Sequence, residues 1–384
     1  MKKLSLIVAL LLTSLTATAQ WTGKYKAGLE GGYEWNIFLN PTVVQTGEDI
    51  LRRNDLWINA YYAGAFVSAD FKKEIKNGRM KWGTHLSGAN YTSTANANRH
   101  SFRLYGSYRK KYAPRKYFEF APELYRIKRA GVNDNDAILT TPFSYTRFTL
   151  PFKLDFYKGN RAWVKTRAGY TYKAYDKIPF EEINNKSIRY HAGFVGVSVS
   201  KKWVDNQVER KLTFSSDIEL RFYKDLEQFL DEEEPDEPGE TEEESRFWTY
   251  ITNDLVYDIK PANKPWELSL GLYTTIRLDR EEENGYLEFA PGIDGTWQMA
   301  KMRLKGSLRY VNRNYPGREV GDTEEPLRYQ FLRGSIEAQV PVRDNLDFFV
   351  RGNMVNRKSS NTALGRGFRG YFNSRFETGL VLRF

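Results

Sequence analysis

The stretch Tyr371–Phe384 reads YFNSRFETGLVLRF and closes the sequence. Along an extended strand, successive side chains point to opposite faces. That places Phe372, Phe376, Thr378, Leu380, Leu382 and Phe384 on one face. Tyr371, Asn373, Arg375, Glu377, Gly379 and Arg383 fall on the other. One face is apolar and the other carries charge. A soluble sheet can produce this alternation, but it seldom finishes on an aromatic with no polar tail.

The same period-two pattern recurs upstream. The first instance is Lys24–Leu39, with Tyr25, Ala27, Leu29, Gly31, Tyr33, Trp35, Ile37 and Leu39 on one face and Lys24, Lys26, Glu30, Glu34 and Asn36 on the other. Further strands are expected over 55–71, 79–92, 99–112, 115–128, 143–157, 161–174, 187–201, 210–223, 246–260, 265–279, 285–298, 300–313, 327–341, 345–357 and 368–384, sixteen in all. Merging or splitting one hairpin would give fourteen or eighteen. Pro122, Pro151 and Pro291 fall inside these strands and each removes a ladder donor, so bulges or shifted boundaries are expected there.

A terminal strand of this kind, finished by Phe, resembles the closing strand of bacterial outer-membrane β-barrels. The resemblance covers the architecture of the whole mature chain and names no substrate. It implies an all-β fold: a transmembrane antiparallel up-and-down β-barrel of about sixteen strands. It also implies that Phe384, Leu382 and Leu380 form the signal read by the barrel-assembly machinery, and that outer-membrane lipids cover the apolar face.

The connections fit that expectation. With the N-terminus in the periplasm, long outer and short inner connections should alternate. Asn40–Asn54, Arg129–Pro142, Tyr175–Lys186, Lys224–Ser245, Asn314–Pro326 and Lys358–Gly367 read as outer loops. Ala113-Pro114, Lys158-Gly159-Asn160, Pro261–Lys264 and Val342-Arg343-Asp344 read as inner turns. A soluble β-sandwich, the competing use of so many strands, has no reason to alternate this way.

At the other end, Lys2 and Lys3 precede an apolar run, Leu4–Leu12, and a small-residue site, Ala17-Thr18-Ala19. This reads as a cleaved secretory signal over 1–19, leaving 20–384 as one barrel domain. A short anchor helix is the alternative, but the run falls below the roughly 20 residues a helix needs to span a bilayer. The chain has no Cys, which excludes disulfides, thiolate metal sites and a lipidated N-terminal Cys. Mean hydropathy is −0.62, which a helix-based reading would take as soluble, but a barrel escapes that test because only alternate residues face lipid. Aromatics make up 15%, mostly Tyr (25) and Phe (24), and are expected in the girdles at the two membrane interfaces. The net charge of +10 would suit nucleic acid, but an exported chain does not meet it.

The polar face carries the chemistry. Arg103, Arg109, Lys165, Arg167, Arg303, Lys305, Arg309 and Arg313 all fall on it, as do Glu119, Glu123, Asp217, Glu219, Glu267, Glu288, Asp294, Glu337, Asp347 and Glu377. An Arg or Lys facing lipid at mid-depth costs about 2–4 kcal/mol, so these charges belong in the lumen. Two uses stand open: an ion-pair lattice bracing the wall, and a net-positive lumen for small anionic or zwitterionic solutes. The acidic stretch Asp225–Glu244 holds 12 carboxylates, among them Asp231, Glu232, Glu233, Glu234, Asp236 and Glu237. It reads as an outer loop over 224–245 that either stays solvated or neutralises the barrel mouth.

Other chemistry is thin. His85-Leu86-Ser87 has the H-x-S spacing that resembles the His–Ser pair of outer-membrane phospholipase A, but here the alternation turns His85 and Ser87 inward. His100 and His191 read as polar lumen or loop residues. No phosphate-binding loop, zinc spacing or other metal or cofactor motif is found. The stretch Arg309–Arg318, RYVNRNYPGR, faintly resembles barrels of surface-lipoprotein assembly modifiers, without their helical-repeat domain. Three functions follow: a porin-like channel, a non-conducting barrel in a surface assembly or export complex, and a lipid hydrolase.

Overall fold

The computed structural model describes residues 21–37, 39, 43–46, 49–92, 97–129, 144–157, 159, 161–176, 189–223, 246–280, 285–320, 323–360 and 370–384. The signal segment and the acidic residues Asp231, Glu232, Glu233, Glu234, Asp236 and Glu237 lie outside the described residues. Sixteen antiparallel strands form one closed barrel. They are β1 (Thr22–Trp35), β2 (Ala60–Ile75), β3 (Gly78–Tyr91), β4 (Arg99–Ala113), β5 (in two pieces, Lys116–Phe120 and Glu123–Arg129), β6 (Tyr145–Tyr157), β7 (Ala162–Tyr175) and β8 (Arg189–Asp205). The circuit continues with β9 (Val208–Tyr223), β10 (Arg246–Pro261), β11 (Trp266–Asp279), β12 (Tyr286–Met299), β13 (Met302–Val320), β14 (Thr323–Arg343), β15 (Leu346–Ser359) and β16 (Tyr371–Arg383).

Each strand pairs with the next, and β16 pairs back onto β1 from Lys26↔Arg383 to Trp35↔Ser374. Phe384 adds a last rung. Its N–H donates to the Tyr25 carbonyl at 3.0 Å, and the Tyr25 N–H donates to the Phe384 carbonyl at 3.2 Å. Closure removes every sheet edge, so the backbone donors of the wall are met within the wall. Followed around the circuit, a row of paired residues returns to β16 displaced by about 20 positions, the stagger that accompanies strands tilted about 35–45°.

The two faces separate as the alternation predicts. On β16, Leu380 is 43% exposed on the outside while Glu377, three residues away, is 2% exposed inside. Leu29, Val67, Val195, Val197, Val199, Leu270, Ile293 and Ile336 continue the exposed apolar exterior round the wall. Asn77, Arg115, Asn206 and Gln207 take positive φ in tight turns at the end of the barrel that holds both Thr22 and Phe384. The Asn206-Gln207 pair joins Asp205 to Val208 with both φ values positive, the twist a two-residue hairpin requires.

All sixteen expected strands are present, with four corrections. β1 stops at Trp35 instead of Leu39, because Asn36 turns to φ 53° and is held by Phe372 and Asn59. The second strand runs over Ala60–Ile75, not 55–71, and a helical turn, Arg53–Leu56, occupies its expected start. Asn314–Pro326 is not a loop. β13 and β14 run on to Val320 and Thr323, because Tyr315 packs against Tyr286 and Tyr329 and a register shift between Tyr315 and Glu319 absorbs Pro316 and Gly317. The fourth concerns the prolines. Pro122 sits in the break of β5, and Ala121 donates across to the Pro151 carbonyl at 3.1 Å. Two residues without an N–H therefore share one gap in the ladder. Pro291 similarly leaves β12 and β13 unbridged between Phe289↔Asn312 and Gly292↔Arg309, with no change of register.

Candidate functional site

Barrel closure turns the polar face of every strand into a lumen. Five of the eight expected basic residues meet carboxylates there. Arg103 donates to Glu123 at 2.6 Å and Arg109 to Asp155 at 2.7 Å. Arg167 forms a two-pronged pair with Asp217, Arg313 donates to Glu288 at 2.8 Å, and Lys305 lies 3.4 Å from Glu337. Arg309 instead lies over the ring of Tyr273 at 4.0 Å. Lys165 and Arg303 are exposed and make no ion pair among the described residues.

These pairs belong to a longer pattern. Glu377 on β16 faces Arg351 on β15, which faces Glu337 on β14, which faces Lys305 on β13. Thr296 on β12 continues the row to Glu267 on β11, Lys260 on β10 and Glu209 on β9. Apart from uncharged Thr296, charge alternates from strand to strand because directly opposed residues are neighbours, and opposite signs there stabilise while like signs do not. The row is tightest at the closing seam. Glu377 accepts from Tyr62 at 2.7 Å, from Arg351 at 2.5 Å and pairs with Arg375 at 2.5 Å. Arg375 in turn donates to the Tyr62 hydroxyl at 2.6 Å, so one carboxylate ties β15, β16 and β2 together.

Nearer the end of the barrel opposite Thr22 and Phe384 runs a second belt that the sequence reading did not anticipate. Arg221 lies over Tyr190 at 4.9 Å and Tyr250 at 4.0 Å. Arg277 lies over Trp248 at 4.4 Å and Tyr286 at 4.6 Å, and Arg313 over Tyr286 at 4.4 Å. Arg357 reaches Tyr371 at 4.9 Å. From β8 to β16 aromatic and arginine strands therefore alternate. Many tyrosines expected in the outer girdles face inward instead: Tyr62, Tyr91, Tyr190, Tyr223, Tyr250, Tyr286, Tyr315 and Tyr329 are all buried. The signal was available. Tyr250, for example, shares its strand parity with Thr252 and Asp254.

His85 and Ser87 face inward, as expected, and do not pair. The Ser87 hydroxyl lies 2.7 Å from that of Ser101, and the His85 ring packs beside Phe66 at 5.9 Å. A nucleophile–base pair needs hydrogen-bond contact between the two. His191 corrects the reading of the lone histidines. It lies on the exterior with Val195 and Val197, and its ring sits against Tyr170 and Tyr172 at 6.0 and 5.0 Å. No group of three or more metal-ligating side chains occurs among the described residues.

The lumen contains open recesses. One of about 960 Å³ is lined by Arg103, Arg147, Lys153, Arg167, Arg221, Arg277 and Arg313 and by the acids Glu123, Asp217, Glu219 and Asp254. A second, about 550 Å³, includes Glu30, His85, Ser87, Arg351, Arg375 and Glu377.

No protein-family model and no curated protein sequence matches the chain. Several solved structures superpose on it loosely. OccAB4 of Acinetobacter baumannii superposes with a TM-score of 0.48 at 8% identity, covering 95% of this chain and 99% of that one. OccK1 (OpdK) of Pseudomonas aeruginosa gives 0.46 at 8% identity, covering 94% and 99%. A loop-deletion form of OmpT, an outer-membrane protein of Vibrio cholerae, gives 0.41 at 12% identity, covering 95% and 100%. The fold stands on the chain's own closed circuit of sixteen antiparallel strands.

Proposed function

We propose that this chain is an outer-membrane channel that passes small anionic or zwitterionic solutes through a net-basic lumen. The observation that carries this reading is the pairing of an apolar exterior with a charged interior around open space. The larger of the two recesses presents seven cations and four carboxylates to that space. An excess of fixed positive charge in a confined, partly dehydrated passage raises the local concentration of anions. In this reading residues 1–19 direct export and are removed, and Asp225–Glu244 belongs to a loop on the outer side. Phe384, Leu382 and Leu380 would engage the assembly machinery, and outer-membrane lipids would cover the apolar wall. The lumen does its work without a catalytic residue.

Purified, refolded protein in planar bilayers tests the channel. Discrete conductance steps are expected, with a reversal potential shifted toward anions at low salt and less so at high salt, because screening shortens the reach of the lumenal charges. A heat-modifiable, folded barrel that gives no steps at any salt concentration would overturn this reading and leave the surface-assembly role.

A further inference from the structure

Lys173 stands out among the lumenal cations for the groups that surround it. Many lumenal cations sit beside carboxylates, and in several directly opposed cation pairs each member has its own acid. Lys202 and Lys211 face each other, and each has its own carboxylate, Glu209 and Asp258. Arg309 and Arg333 are also opposed, but Arg309 leans away across Gly292, where an added Cβ would meet its Nε at 3.3 Å, and lies over the ring of Tyr273.

Lys173 on β7 has no such relief. It stands directly opposite Arg147 on β6 and beside Tyr190 on β8. The charged groups that face it are Arg221 and Arg147, both cationic. Its ammonium is held between the rings of Tyr145 and Tyr175, at 4.0 and 4.3 Å, and its hydrogen-bond partner is the neutral Tyr175 hydroxyl. Arg147 gives one nitrogen to Glu123, which it shares with Arg103, and its Nε is buried without an acceptor among the described residues. Arg221 keeps Glu219. The neighbourhood thus gathers Arg103, Arg147, Lys173 and Arg221 around two carboxylates. Arg147 and Arg221 also line the 960 Å³ recess, together with Thr149, Thr171 and Tyr190.

We propose that Lys173, Arg147 and Arg221 form an oxyanion site at the outer part of the lumen, for the carboxylate or phosphate of a small solute. An oxyanion there supplies what the wall withholds: a counter-charge between opposed cations and an acceptor facing guanidinium N–H groups, whose planar edge suits such oxygens. The aromatic flanks hold the lysine in place without neutralising it. Lys173 lies two residues from the outer end of β7, so the site meets a solute early in its passage. The proposal rests on the channel reading only for that passage. Binding itself does not need it.

The test is calorimetric titration of the full-length barrel in detergent with inorganic phosphate, at low ionic strength and with chloride as the reference anion. Saturable phosphate binding is expected. Lys173→Gln should weaken it at least about tenfold, and Lys173→Arg should stay within about threefold, since the charge survives. Lys260→Gln, at the opposite rim in a pair with Glu267, should leave it unchanged. No saturable binding to the wild type, or equal binding by a heat-modifiable Lys173→Gln barrel, would overturn the proposal. A second readout needs no variant: phosphate should slow acetylation of Lys173, followed by mass spectrometry, and absence of protection also overturns it. Binding with silent bilayers removes the channel and keeps the site. Conduction without binding removes the site and keeps the channel.

Discussion

Glu377 offers the sharpest stability test, because one carboxylate there answers three donors on three strands. It is 2% exposed and is bound by Arg351, Arg375 and Tyr62. Glu377→Gln keeps the shape and removes the charge. Stripping one partner from a buried ion pair typically costs about 3–5 kcal/mol, since the remaining charge stays buried and uncompensated. Here the loss should sit near the lower end, about 3 kcal/mol. Arg351 keeps Glu337 at 2.5 Å, and Arg375 keeps Glu30 at 3.4 Å and the Tyr62 hydroxyl. With a urea slope of about 1–3 kcal/mol/M, the unfolding midpoint in lipid vesicles should fall by about 1 M or more. Tryptophan fluorescence and the heat-modifiable gel shift would follow it together. The double change Glu377→Gln with Arg351→Met should cost less than the two singles added, because removing both partners leaves fewer orphaned charges. A Glu377→Gln midpoint within about 0.2 M of wild type would show that the seam is not held by this carboxylate.

Three further outcomes are expected. Deleting Phe384 removes the last rung against Tyr25, so inserted barrel should drop while synthesis and export continue; undiminished heat-modifiable barrel in the membrane fraction would contradict that role. A tag placed between Val320 and Thr323 should be reached by antibody on whole cells, and one between Asp205 and Val208 should not, since these connections lie at opposite ends of the barrel; labelling of the second would reverse the orientation. Tyr286→Phe keeps the ring between Arg277 and Arg313 and should be nearly neutral, while Tyr286→Leu should lower stability by about 1–2 kcal/mol in the same urea assay; equal effects would remove ring–guanidinium stacking as the cause.

Much of the molecule is settled by the chain itself. Sixteen strands, their two faces and the short turns at one end follow from period-two alternation and turn chemistry, which act over a few residues at a time. So does the assignment of Arg103, Arg167, Lys305 and Glu377 to the lumen, because a charge on the lipid face is costly wherever the strand sits.

What the sequence could not assign is which residue stands opposite which. That depends on the register of each pairing and on a circuit that closes only with its accumulated stagger, a property of all sixteen strands at once. The register between successive strands sets Arg351 between Glu337 and Glu377 and, Thr296 apart, alternates charge from β16 to β9. It brings Pro122 and Pro151 to one gap and carries β13 past Pro316 because Tyr315 finds Tyr286 and Tyr329 across the strands. It also sets Lys173 opposite Arg147, 26 residues earlier in the chain, where no local pattern could have shown that two cations face each other without a carboxylate for the lysine.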